Sequence, residues 1–223
     1  MLETDESARE ALVILDLDRK ATITGIRAQY LEKTSRDKFI HSVLVDEHLQ
    51  KEFDKYHIAY VTLVKHLSQA EQASDLQFYP PDQVFQFHFN QGVHYFIHRD
   101  YIKAGEKFQE AYKLDKTSVP VLLYLGFLLL KRKSIYAAEK YFKEAVQLDQ
   151  NNDDAWFYLG ESYLEAGELR KALVMFETAK KLNPGRYEVA SRIKEITDRL
   201  KLKSIKTKKP SIMQRLFKKI SCR

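Results

Sequence analysis

The 223-residue sequence is poor in residues that break regular structure, with only seven glycines and five prolines. Together these fall well below the roughly 12% usual in globular chains, so a turn-dense β-sandwich or barrel is disfavoured. There is a single cysteine, Cys222, beside the last residue. With no intrachain partner it excludes a disulfide framework or a cysteine-based zinc site, and a reducing compartment fits best. The first residues, Met1-Leu2-Glu3-Thr4-Asp5-Glu6, lack the basic lead and apolar stretch of a secretory signal. The longest apolar run, Val119 to Leu130, stops at Lys131-Arg132-Lys133. It is too short for the roughly 20 residues of a membrane span and reads as a buried helix. A glycine-rich phosphate loop, a nucleophile elbow and a paired-carboxylate signature are also missing. The expectation is therefore a cytoplasmic, non-enzymatic protein without a cofactor.

Thirteen tyrosines and thirteen phenylalanines supply large apolar side chains for real cores. The net charge of +6 is unevenly placed, because ten Lys or Arg and no acid follow from Arg199 onward. Residues 1–198 then carry a net −4, and the basic character belongs to an appendage.

A period of 34 residues runs through the second half. Gly92, Gly126 and Gly160 share it, as do Ala104, Ala138 and Ala172, Phe108, Phe142 and Phe176, and Ala111, Ala145 and Ala179. Each period opens with a helical apolar pattern around its glycine and continues with a second one, which reads as a helix-turn-helix pair. Gly and Ala permit close helix approach, and Phe fills the space between pairs.

This pattern resembles the tetratricopeptide repeat. Residues 153–186 carry it fully, as Trp156, Leu159, Gly160, Tyr163, Ala172, Phe176, Ala179 and Pro184. Residues 85–118 and 119–152 depart from it: His88 and Leu122 replace the Trp, Leu129 the Tyr, and Lys116 and Gln150 the Pro. Residues 187–202 continue as an amphipathic helix, with Val189, Ile193, Ile196 and Leu200 on one face, that would cap the array.

Three further helical stretches precede the repeats. Ala11, Leu12, Leu15 and Leu17 mark the first, Ile26 and Tyr30 the second, and Leu49, Phe53, Tyr56, Ala59, Tyr60 and Leu63 the third. Thr22 is a plausible cap for the second. Their order and spacing look like a J domain of DnaJ-type co-chaperones. That resemblance implies a small helical module over residues 1–68, joined to the repeats by a linker, 69–84, containing Pro80-Pro81. In that family a His-Pro-Asp tripeptide engages a DnaK-type ATPase. Here the corresponding loop reads Lys38-Phe39-Ile40-His41-Ser42-Val43, so the stimulating activity is not implied. The expected fold is all-α: a three-helix J-like module, then an α-solenoid of three repeats, a capping helix and a basic tail, 203–223.

His88, His94 and His98 form the only close histidine group. His94 and His98, spaced i, i+4, could share a metal, but the sequence shows no third ligand nearby, and the expectation is packing or solvent-facing roles without a metal. By resemblance to the repeat family, a groove is lined by Phe89, Val93 and Phe96, by Leu123, Phe127 and Leu130, and by Phe157, Glu161 and Leu164. Family members that grip acidic chaperone tails use Lys, Asn and Arg where this chain has Phe89, Val93, Tyr124, Asp154 and Tyr158. The groove therefore suits a protein partner presenting an apolar segment or amphipathic helix, unless the J-like module or the tail covers it.

In the tail, Lys208 and Lys209 precede a segment with Ile212, Met213, Leu216, Phe217 and Ile220 on one helical face and Arg215, Lys218 and Lys219 beside it. Such a basic amphipathic helix suits an anionic membrane surface or an acidic partner, with nucleic acid disfavoured for want of stacking aromatics. The function expected is a protein-interaction adaptor or scaffold, peripheral at a membrane. The rival is a co-chaperone of a DnaK-type ATPase.

Overall fold

The computed structural model describes residues 6–18, 20–34, 47–67 and 81–208. Among them it forms ten α-helices and no strand: α1 Glu6–Ile14, α2 Ile23–Thr34, α3 Glu47–Leu67, α4 Pro81–Ile97, α5 Tyr101–Leu114, α6 Val119–Lys131, α7 Ile135–Leu148, α8 Asp153–Glu165, α9 Leu169–Leu182 and α10 Tyr187–Lys208. The chain divides into two compact units, 1–128 and 129–223.

Two boundaries differ from the sequence reading. Helix α4 opens at Pro81, inside the segment read as linker. Proline's fixed φ and missing N–H suit a first helical position, where the amide would lack an intrahelical partner anyway. Helix α10 continues to Lys208, past the expected end at 202. Lys209, Ile212, Met213, Arg215, Leu216, Phe217, Lys218, Lys219 and Ile220 lie outside the described residues, as does the loop Lys38–Val43.

In the first unit, α3 packs against both α1 and α2. Their shared core holds Ala8, Ala11, Leu12, Leu15, Ile26, Tyr30, Ala59, Tyr60 and Leu63. Tyr30 and Tyr60 stack with ring centres 4.4 Å apart. The Thr22 hydroxyl accepts from the Gly25 amide at 3.2 Å, capping α2 as its sequence suggests. Helix α1 stops at Ile14, short of Leu15 and Leu17, because Asp16 turns the chain with φ +55° and the Leu17 amide closes back onto the Leu12 carbonyl at 2.9 Å. Helices α2 and α3 also pack against α4, so the amino-terminal helices and the first repeat form one body rather than two domains on a tether.

The repeat spacing has a direct structural cause in both units. A Cβ added to Gly92 would stand 2.6 Å from the Phe108 ring, and one added to Gly160 would stand 2.9 Å from the Phe176 ring. Each pair therefore needs glycine on its first helix and fills the vacated space with phenylalanine from its second. Phe108 and Phe176 are fully buried, each worth about 1.5–3 kcal/mol of apolar transfer. Further aromatic stacking links each phenylalanine to the next repeat's first helix. Phe108 lies on Tyr124 at 4.4 Å in the first unit, and Phe142 on Tyr158 at 5.7 Å in the second.

Turn geometry repeats as well. Arg99, Lys133 and Gly167, each 34 residues from the next, adopt φ of +61°, +59° and +77°. In each case two amides fold back onto the preceding helix: Asp100 onto Tyr95, Ser134 onto Leu129 and Glu168 onto Tyr163, all at 2.9 Å, with a second bond beside each. Asp100 and Asn152 then cap α5 and α8 through their side chains.

Candidate functional site

Two regions hold the side chains that bear on function, the first helices of the repeats and a polar seam in the first unit.

Most of the expected groove lining is interior. Phe89, Val93, Phe96, Leu123 and Phe157 are all buried. Phe89 packs on Phe108 and Tyr124, each at 5.8 Å, and Phe157 on Phe176 at 5.5 Å. These side chains pack within the helix pairs. Phe127, Leu130, Glu161 and Leu164 keep partial exposure.

Glu161 is already engaged. The Arg192 guanidinium on α10 meets it bidentately, Nε to Oε1 at 2.7 Å and Nη2 to Oε2 at 3.1 Å, and also reaches Glu195. Burial raises the Glu161 pKa, and Arg192 only partly counters it. The capping helix thus holds the one acidic groove position.

Asp154 is paired with Arg186 at 2.7 Å. Arg186 also reaches Asp153 at 3.0 Å and lies 4.1 Å over the Phe157 ring. Burial disfavours its charge, yet the facing aspartates hold its pKa above the ordinary value. Tyr124 and Tyr158 are buried.

The second region was invisible in sequence because its members are far apart in the chain. Thr34 on α2, His57 on α3 and Asn90 on α4 are buried polar residues. The Asn90 amide donates to the Thr34 hydroxyl, which donates to the Tyr30 carbonyl at 2.7 Å, while Gln86 donates to Asn90 at 2.9 Å. The Tyr30 hydroxyl meets His57 Nδ1 at 2.7 Å. Burial is the main cause that pushes His57 down to about 3 and Tyr30 well up. The ring is therefore neutral and shares one hydrogen bond with the Tyr30 hydroxyl.

His57 stacks on His94 at 4.0 Å, and His94 begins the outer end of the seam. His94 Nδ1 is 2.9 Å from Asp54 Oδ1, and His98 Nε2 is 3.1 Å from both Asp54 oxygens. Burial pushes the Asp54 pKa up, but the two histidines overcome it and hold the carboxyl below its ordinary value. The i, i+4 histidine pair thus has the third partner that the sequence did not reveal, supplied by α3 some 40 residues upstream. His88 stands apart from this group, half-buried, with Nδ1 lacking a hydrogen-bond partner.

Residues 136–192, from α7 into α10, match the tetratricopeptide repeat family. Solved structures share the fold. The Arabidopsis OM64 TPR domain is 18% identical with a TM-score of 0.52, covering 54% of this chain and 99% of that one. The second TPR domain of human RPAP3, in complex with the HSP70 peptide SGPTIEEVD, is 23% identical with a TM-score of 0.50, covering 53% and 98%. MamA from Desulfovibrio magneticus is 16% identical with a TM-score of 0.52, covering 81% and 87%. No curated protein sequence matches the chain. Residues 136–192 thus carry the tetratricopeptide repeat, and the described residues form helices joined by turns, in a fold shared with solved tetratricopeptide-repeat domains. No helix among those residues is long and apolar enough to cross a membrane.

Proposed function

We propose that this chain is a non-catalytic interaction adaptor that takes up an apolar peptide or amphipathic helix against the first helices of its repeats. The observation that carries the reading is the character of those helices. Phe127, Leu130 and Leu164 are apolar and partly exposed, while the positions that would grip an acidic tail hold Phe89, Val93, Tyr124, Asp154 and Tyr158. Peptide capture is what the similar RPAP3 domain does with its HSP70 peptide. In this chain Asp154, committed to Arg186, would repel such an acidic sequence. Fluorescence anisotropy with labelled SGPTIEEVD and with an apolar amphipathic peptide separates the cases. Saturable binding of the second alone supports the proposal, and preference for the first sinks it.

The tail enters as the membrane-holding part of the same proposal, because the eight Lys and Arg of residues 203–223 are interrupted by no acid and flank an apolar stripe. Co-sedimentation with anionic but not neutral vesicles is the expected result, and equal binding to both removes this part. The J-like resemblance of residues 1–68 sustains the rival co-chaperone role. Several-fold stimulation of a purified DnaK-type ATPase would favour that rival over an adaptor.

A further inference from the structure

We propose that Asp54, His94 and His98 bind a divalent transition-metal ion that clips α3 to the end of α4. Three donor atoms of two chemical types converge there, and all lie within 4.8 Å of one another. Two come from one helical turn, His94 on α4 and His98 in the turn that ends it, and the third comes from a different helix. Around an ion with bonds of about 2.0–2.1 Å, tetrahedral ligand atoms stand ~3.3 Å apart. The observed 2.9 and 3.1 Å carboxylate–imidazole separations need to open by only a few tenths of an ångström, and the two imidazole nitrogens, which lie within 4.8 Å of each other, need to stand at that same spacing.

The surroundings fit such a site. Stacking on His57, itself held by Tyr30, fixes the plane of the His94 ring, as supporting residues do for metal-binding histidines. The Asp54 and His94 side chains are 17% and 23% exposed, whereas His98 is 50% exposed, which leaves an entry path and room for a water as fourth ligand. The donor set also selects the ion. Two imidazoles and one carboxylate suit Zn²⁺ and its transition-metal neighbours, whereas Mg²⁺ and Ca²⁺ require oxygen-rich shells. Such an ion would tie the amino-terminal helices to the first repeat at the outer end of the buried polar seam. This role is independent of what the repeats bind.

Isothermal titration of the chelator-washed full chain with Zn²⁺, and separately with Mg²⁺, tests the site. One Zn²⁺ per chain, a higher melting temperature with Zn²⁺ and no response to Mg²⁺ are expected. His98→Gln and Asp54→Asn preserve side-chain size and should each weaken Zn²⁺ binding at least tenfold, while His48→Gln, outside the cluster, should not. Circular dichroism of the metal-free variants confirms that they fold, His98 being half exposed. Absent binding, Mg²⁺ bound as tightly as Zn²⁺, or Zn²⁺ affinity unchanged in folded His98→Gln and Asp54→Asn would overturn the proposal.

Discussion

Arg99 occupies a left-handed backbone conformation at which the third repeat uses Gly167. A Cβ there costs about 1–2 kcal/mol, of which glycine's greater flexibility in the unfolded chain returns roughly 0.5–1 kcal/mol. Arg99→Gly should therefore stabilise the protein by about 0.5 kcal/mol, seen as a higher urea midpoint at unchanged slope. A lower midpoint would show that the arginine side chain contributes more than its strain costs. His57 contributes to the acid sensitivity of the first unit. Its folded pKa is near 3 against about 6.5 when unfolded, so between these values the unfolded chain binds more protons. Its contribution is complete above pH 6.5 and is lost progressively as pH falls toward 3. Asp54 adds its own loss only near and below pH 4, since its folded pKa is depressed. His57→Gln can still hydrogen-bond Tyr30 but cannot titrate. In chelator, its unfolding free energy should change less between pH 6.5 and 4.5 than that of the parent, and an equal change would contradict the assignment.

At the scale of elements, the helix pair depends on glycine meeting phenylalanine sixteen residues later. Gly160→Leu should cost about 1–3 kcal/mol by overpacking against Phe176, whereas Gly185→Ala, with only the Asn183 side chain at 3.7 Å, should be near neutral. Thermal unfolding of the two variants checks this, and equal midpoints would undo the packing account. The elements were legible because this contact is written as a strict spacing, Gly92 against Phe108 and Gly160 against Phe176, within a period of 34 residues. Their caps were less legible. Arg99 and Lys133 stand where glycine would have signalled a helix end, and only Gly167 gave that signal. Which face of each first helix remained open was not legible either. An apolar pattern marks burial without saying by what, and Phe89 and Phe157 turned out to be covered by their own units. The Asp54 cluster left no sequence signal at all, because its carboxylate approaches from another helix and no local spacing encodes that meeting.

At the scale of the whole molecule, the proposed function rests on the apolar residues that stay partly exposed in each unit. The interior is aromatic and closed, the acidic groove position is held by Arg192, and the apolar remainder on the first helices includes Phe127, Leu130 and Leu164. Hot-spot energetics concentrate in a few such residues, so replacing one should remove most of the affinity. The most direct test is selection from a random peptide display library on the full chain, with the survivors re-measured on Leu164→Glu. Apolar or amphipathic sequences that bind Leu164→Glu at least tenfold more weakly, at unchanged helical circular dichroism, are the predicted result. Enrichment of acidic carboxy-terminal sequences that bind the variant as tightly as the parent would contradict it.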